Sequence, residues 1–378
     1  MTGAGRPPLV AVVADASVAA GLGHLRRCLN VAVALRDLGV ASCFLLPGVG
    51  EGDGTSAGAA AAAVRGEGFP VEPLPAAAAP GATEGAPLDT DAVRTAAVRA
   101  AAARLGATAL LADSYAFAPA DLAALGEGGL PVAAFDDLCA SYEPLPCRLV
   151  VNGGLGAELL PYAAGPELLL GARYAPLRPG LATASVSRPA PAPAAGAPLR
   201  VLVTFGGSDP TGTLPLALRA LESVDGPLAV VAVVGPLAMN GDAVAQAAAV
   251  SRHPVEVVRD PADMLDLLRA ADLAVTAGGG TLVELAAAGT PAIAVEVAEN
   301  QSRGIAALVA AGAALDAGRA GGRSLESRIA ALVTTLATCP ERRQALSAAG
   351  RAVLDGRGAT RIAERLAVLA GARGAQVT

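Results

Sequence analysis

Lysine and tryptophan are absent from this sequence, and histidine occurs only twice. All 28 basic residues are therefore arginine. With the excess of alanine, glycine and proline, this reads as the codon bias of a GC-rich genome. The scarcity of histidine argues against a zinc site. Five cysteines (Cys28, Cys43, Cys139, Cys147, Cys339) lack any Cys-x-x-Cys spacing, which argues against a redox pair or a disulfide framework. Each lies in or near an apolar segment, where cysteine behaves as a small core residue. Positive charge is also in deficit. The net charge of -6 and the lack of basic runs interleaved with aromatics argue against a nucleic-acid partner. No uninterrupted apolar run reaches the roughly 18 residues of a membrane span. The first residues enter a strand directly and lack the apolar middle of a signal peptide, so a cytoplasmic location is expected.

What is present suffices for two cores. Hydrophobic residues make up 53% of 378, a length that fits two domains better than one. Aromatics are only 2%, so alanine and valine must fill most of the interior. The Pro/Ala stretch 187–198, SRPAPAPAAGAP, can form neither helix nor central strand and reads as a linker. It separates an expected domain 1–186 from a second at 199–378, whose last helices have the option of crossing back. Each half alternates short apolar runs with helical patterns, the signature of parallel α/β sheets. Strands are expected at 9–14, 42–46, 109–112, 132–135 and 149–151. A helix is expected at 23–38, and a loop at 51–68 with room for a short helix at 59–65. In the second half, strands are expected at 200–204, 229–234, 255–258, 273–276 and 292–295. Beyond 325 the chain reads as helix almost to its end.

Ligands of open α/β sheets bind where strands end, and the polar motifs follow strands. The first runs from Asp15 through Gly23, His24 and Arg27 to Cys28. A helix starting near His24 offers free N–H groups to a phosphate, and a neutral imidazole there can accept a proton. Asp15 is placed to orient that ring or to contact sugar hydroxyls. Equally, His24 alone is compatible with a plain helix cap. The second motif, Thr204 to Gly212 with Gly206, Gly207 and Ser208, suits a phosphate-cradling turn, or else an ordinary turn capped by Ser208 or Asp209. It is neither a Walker A sequence nor G-x-G-x-x-G.

The third motif places Gly279, Gly280 and Thr281 at a helix start, with Glu284 one turn on. Together they would provide an anion site and an acceptor for two ribose hydroxyls, although T-x-x-E spacing also permits a capping box. The fourth, Glu299-Asn300-Gln301, is a candidate for sugar or diphosphate contact, or a helix cap. Asp113, Tyr115, the pair Asp136/Asp137 and Asn152 sit at further strand ends of the first half. The adjacent acids of that pair should point to opposite faces, which disfavours a metal.

Taken in order, these motifs resemble a known family. DAS…GLGHLRRCL (15–29), ADSY (112–115), FDDL (135–138), GARYAPLRPG (171–180), VTFGGSDPTG (203–212), AGGGTLVE (277–284) and AENQ (298–301) resemble the UDP-sugar hydrolases of the pseudaminic-acid pathway and their spore-coat polysaccharide relatives. The resemblance implies a GT-B fold, two Rossmann-like parallel-sheet domains facing a cleft. It implies UDP on the second domain through Gly206, Gly207, Ser208, Gly279, Gly280, Thr281 and Glu284. It also implies sugar or acceptor contacts from Gly23, Arg27, Asp113, Tyr115, Asn152, Glu299, Asn300 and Gln301. His24, with Asp15, would activate the nucleophile for inverting attack on the anomeric carbon, with no metal and no cofactor besides the UDP-sugar substrate. The nucleophile is water in the nearest match, or a small acceptor such as a nucleobase in antibiotic-pathway relatives, with a hexose or hexuronate as the sugar. A non-catalytic nucleotide-sugar-binding protein is the remaining alternative, and a monomer or homodimer is expected. The chain departs from the family at Val13 and Val283, where arginine and tryptophan are frequent.

Overall fold

The computed structural model describes residues 7–15, 23–47, 56–74, 90–139, 143–178, 180–181, 197–261 and 264–372. The chain forms two compact units, Met1–Pro179 with Gly358–Thr378, and Gly180–Arg357. Residues 16–22 of the first motif and 187–196 of the expected linker lie outside the described residues.

The first unit is built on β1 (Leu9–Ala14), β2 (Ala41–Pro47), β3 (Val71–Leu74), β4 (Ala109–Asp113), β5 (Val132–Phe135), β6 (Leu149–Asn152) and β7 (Glu167–Leu170). They form one sheet in the order β3-β2-β1-β4-β5-β6-β7, parallel throughout. Between them run α1 (Gly23–Asp37), α2 (Ser56–Gly66), α3 (Thr90–Leu105) and α4 (Pro119–Leu125). Helices cover both faces, so central strands are continuous apolar runs such as LVAVVA in β1. Alternate side chains still sort by face. Val10 and Val12 pack with α1 and α2 residues, and Ala11 and Val13 with Val98, Ala101 and Leu122 of α3 and α4.

The second unit repeats the plan with β8 (Leu199–Thr204), α5 (Thr213–Leu221), β9 (Leu228–Val234), α6 (Gly241–Ala249), β10 (Val255–Arg259), α7 (Met264–Ala270), β11 (Leu273–Ala277), α8 (Gly280–Ala288), β12 (Ala292–Glu296), α9 (Ser302–Ala310), β13 (Leu315–Arg319), α10 (Leu325–Thr338) and α11 (Pro340–Val353). Its parallel sheet has the order β10-β9-β8-β11-β12-β13. In each sheet the strand order reverses beside the first strand, at β1/β4 and at β8/β11. Ligand crevices of open α/β sheets open at such points.

The leading segment of the first unit ends at Pro179 rather than at the expected 186, and the option of a helix crossing back is the one taken. The last helix, α12 (Gly358–Leu369), is not part of the second unit. Ile362, Ala363, Leu366 and Ala367 are buried with Leu25, Cys28 and Leu29 of α1. Arg365 pairs with Glu167 at 2.6 Å, and Arg361 donates to the Arg173 carbonyl at 2.9 Å. Gly358 sits so tightly on the Ala175 backbone that a Cβ would collide with it. Among the described residues, no helix is long and apolar enough to cross a membrane.

Truncating Leu366 to alanine should therefore destabilise the first unit by about 2–5 kcal/mol. Denaturant titration checks this, and an unchanged first-unit transition would contradict the packing described.

Candidate functional site

The site of the first unit grows from one helical turn. His24, Arg27 and Cys28 stand at i, i+3 and i+4 of α1, hence on one face, and that face looks onto the carboxyl end of β4. There Asp113 is fully buried and receives all three. His24 Nδ1 lies 2.6 Å from its Oδ1. Arg27 grips it with both Nε (2.5 Å to Oδ2) and Nη2 (2.6 Å to Oδ1), and the Cys28 thiol donates to Oδ2 at 3.4 Å. An ionised carboxylate only accepts, so His24 carries a proton on Nδ1, and in the neutral ring Nε2 is the acceptor.

Arg27 also donates to Asp137 Oδ2 at 2.7 Å and stacks over the Phe135 ring at 4.5 Å. The Tyr115 hydroxyl donates to the same Asp137 oxygen at 3.0 Å, and its ring meets the His24 ring edge-on, centroids 4.5 Å apart. Burial alone would raise the Asp113 carboxyl, but the Arg27 charge and the bonds from Arg27 and His24 outweigh it and hold the group below the usual carboxylate range. Burial works against the Arg27 guanidinium, yet the charges of Asp113 and Asp137 keep it well above its ordinary value. Burial and then the Asp113 charge push the Cys28 thiol well up, so this thiol stays protonated and donating.

Several expected roles change. Asp15 does not orient the ring; Asp113 does. The Asp15 backbone N–H bonds the Asp113 carbonyl at 2.9 Å, and its carboxylate lies 3.8 Å from Arg94. Asn152 is 2% exposed; its side chain accepts from Gly154 N–H and donates to the Tyr162 hydroxyl, each at 3.0 Å. These bonds brace the turn that follows β6. Asp136 and Asp137 diverge, Asp136 capping its own turn through Leu138 and Cys139 N–H. Gly23 opens α1 with no atom within 4 Å of its would-be Cβ. Asp113, expected as a sugar or acceptor contact, is instead fully buried with both carboxylate oxygens bonded to α1 side chains. The H-x-x-R-C spacing is the signal that marks it as a shared partner.

In the second unit the two motif helices differ at their N-termini. The Asp209 carboxylate accepts from Thr213 N–H (2.9 Å) and Leu214 N–H (3.0 Å), with Asn240 donating to it at 2.5 Å. The start of α5 is thus occupied by the protein's own carboxylate; in the turn before it Gly206 is exposed and Gly207 and Ser208 are half-buried. Gly206 takes φ +77 with open space around it, and Gly207 presses against Gly235.

By contrast α8 begins after Gly279 with no side-chain cap, and no Cβ clash limits approach to Gly279 or Gly280. The Thr281–Glu284 capping box is not formed, because the cap position is Gly279. Glu284 is 5% exposed on the second turn. Gln301 turns inward: its Oε1 accepts from Gly278 (3.2 Å) and Val297 (3.1 Å) N–H groups, tying the β11 and β12 turns together. Glu299 and Asn300 remain exposed. Among the described residues, no group of three or more His, Cys, Asp or Glu converges as metal ligands do.

No family model matches the chain, and no curated protein matches it. Solved structures do. MurG of Acinetobacter baumannii superposes with a TM-score of 0.67 over 95% of this chain and 99% of its own, at 17% identity. The fold is GT-B. Anabaena Alr3699/HepE, solved with UDP and glucose, gives 0.60 at 15% identity, covering 96% of this chain and all of its own. The spinosyn rhamnosyltransferase SpnG, solved with thymidine diphosphate, gives 0.62 at 16% identity over 93% and 96% of the two chains. Identities this low carry the fold, and none of these comparisons reaches the narrower pseudaminic-pathway hydrolase family.

Two outcomes follow. Asp209→Ala should cost about 1–2 kcal/mol through loss of the α5 cap, read as a lowered unfolding midpoint. Because the folded Asp113 carboxyl sits below its unfolded value, near 3.9, its stabilisation is complete above that pH and is lost as pH falls through the lowered folded value. Asp113→Asn should remove this part of the acid dependence, and an unaltered acid-unfolding profile would contradict it.

Proposed function

We propose that the chain is an inverting, nucleotide-sugar-dependent GT-B enzyme that uses a UDP-sugar, with His24 as general base and a small molecule as acceptor. The observation that carries this reading is the His24–Asp113 pair at the first sheet's switch point, where a buried carboxylate fixes the ring's Nδ1–H and leaves Nε2 to take a proton.

The step balances as follows. The acceptor's O–H or N–H yields its proton to His24 Nε2 while its heteroatom bonds the anomeric carbon. The bond from that carbon to the diphosphate oxygen breaks, and UDP departs with the electron pair. Asp113 meets the imidazolium that results, as a carboxylate partner does in other acid–base sites. In the second unit, the uncapped α8 start at Gly279, Gly280 and Thr281 suits the diphosphate, with the Gly206–Ser208 turn beside it in the topology. A helix N-terminus receives leaving-group charge without a metal. Glu284, one turn on, is the acceptor for the ribose diol. Tyr115, Glu299 and Asn300 are the remaining candidates for sugar or acceptor contact. The glycosyltransferase neighbours, solved with UDP or thymidine diphosphate, support a nucleotide-sugar donor.

A second reading makes water the nucleophile. It is favoured by the motif order shared with UDP-sugar hydrolases, and it uses the same residues. Incubation with a panel of UDP-sugars, followed by mass spectrometry, separates the two. Transfer predicts UDP release that depends on added small-molecule acceptors, hydrolysis predicts release without them, and no turnover under either condition would sink both.

His24→Ala should lower turnover about 10²- to 10⁴-fold while UDP still binds. Glu284→Ala should weaken UDP binding about 10- to 100-fold, the cost of losing hydrogen bonds to a charged acceptor. Calorimetric titration with UDP reads both, and equal affinity in the Glu284 variant would remove the ribose assignment.

A further inference from the structure

Arg27 is the sequence's candidate for a sugar contact, but the structure spends it otherwise. Of the five N–H groups an arginine owns, the one on Nε and one on Nη2 engage Asp113, and one on Nη1 engages Asp137. Its face lies on Phe135. Asp137 in turn holds the Tyr115 hydroxyl, and Tyr115 returns to the His24 ring. The contacts close a loop: His24, Asp113, Arg27, Asp137, Tyr115 and back to His24. The imidazole is thereby fixed twice, through Nδ1 and against its ring.

The charges in this loop have a consequence. Arg27 contributes one positive charge, and Asp113 and Asp137 one negative charge each. The loop carries a single net negative charge while His24 is neutral and none once it is protonated. The other groups packed on the imidazole do not alter this. Cys28 and Tyr115 are neutral donors, Asp136 caps its own turn, and Asp15 faces Arg94 at 3.8 Å. Asp113 paired with His24 alone would draw a proton onto the ring strongly. Arg27, with Nη2 at 3.4 Å from His24 Nδ1, moderates that pull, and Asp137 moderates Arg27.

We propose that Arg27 and Asp137 are positioning residues, acting on His24 through Asp113 and Tyr115 rather than on the substrate. They fix the ring's orientation and the charge around it before it takes its proton. This rests on His24 being the base, as in the proposed function, but it is tested without substrate.

With two histidines in the chain, the ring resonances of His24 can be followed by NMR in the full-length protein, a His253→Gln variant supplying the assignment. Arg27→Gln removes a neighbouring cation, so the His24 titration midpoint should rise by about one pH unit. Asp137→Asn removes a neighbouring anion, so the midpoint should fall by a few tenths of a unit. Opposite shifts support the proposal. Midpoints unchanged in both variants, or moved in the same direction, overturn it.

If Arg27→Gln fails to fold, Arg27→Lys serves in its place. It keeps the charge and loses the double grip, so the midpoint should stay near the parent's while the tyrosine-side contact to the ring weakens. A midpoint that rises as much as charge removal predicts would overturn the proposal. Should the protein turn over a UDP-sugar, the positioning role further predicts a lowered kcat with KM held in Asp137→Asn. A KM raised tenfold or more with kcat held would make these residues substrate contacts instead. A failed search for a substrate leaves the titration result standing on its own.

Discussion

A carboxylate with almost no access to water organises the first unit. Burying an ionised acid is costly unless every acceptor site finds a donor, and Asp113 meets that demand with a bidentate arginine, an imidazole and a thiol. All three come from one face of α1, so the helix cannot rotate or slide without stranding the charge. The adjoining side of α1 is held by the last helix of the chain, which returns to pack Leu366 and Ile362 against Leu25 and Leu29. The register of α1, the tautomer of His24 and the path of the C-terminal helix are thus parts of one constraint. The same constraint decides what His24 can do: a ring whose Nδ1–H is committed to a carboxylate can only accept at Nε2.

The two units use one topology for two chemistries. Each sheet reverses strand order beside its first strand, and each places polar residues there. The first unit fills its switch point with a paired acid and base. The second presents backbone, and its helix starts are not equivalent. Asp209 fills the N-terminus of α5 and, with Asn240, locks it. That of α8 is left to glycine. An acid placed at Gly279 would cap α8 in the same way and repel an anion. That uncapped start is the feature on which the proposed diphosphate site rests, and the Gln301 side chain ties its turn to the next one.

Much of this was legible in the sequence, for physical reasons that also explain the omissions. The central strands were found because helices bury both their faces, which demands unbroken apolar runs. The three strands not foreseen, Val71–Leu74, Glu167–Leu170 and Leu315–Arg319, are all sheet edges. Edges tolerate the Pro73, Glu167 and Gly318 that disguise them. The 51–68 segment, read as loop with a short helix, contains the longer helix Ser56–Gly66, an alanine-rich sequence whose propensity was underrated. The crossing back of the C-terminal helices was open as an option, but that Gly358–Leu369 alone returns depends on contacts between distant residues and leaves no periodic trace. For the site, residue types and positions were visible, but partners were not. Asp15 and Asp113 end adjacent strands, and only the packing of α1 decides which receives His24. The internal bonds of Arg27, Asn152 and Gln301 leave no mark in the sequence, because exposed and internally bonded polar groups look alike in one dimension.

The central claim is that Asp113 holds His24 as an Nδ1–H imidazole with a free basic Nε2. Nitrogen-15 NMR of the histidine rings at neutral pH reads the tautomer directly. The account predicts that His24 shows a protonated Nδ1 and an unprotonated Nε2, and that Asp113→Asn abolishes this bias. A His24 ring protonated on Nε2, with Nδ1 bare, would contradict it.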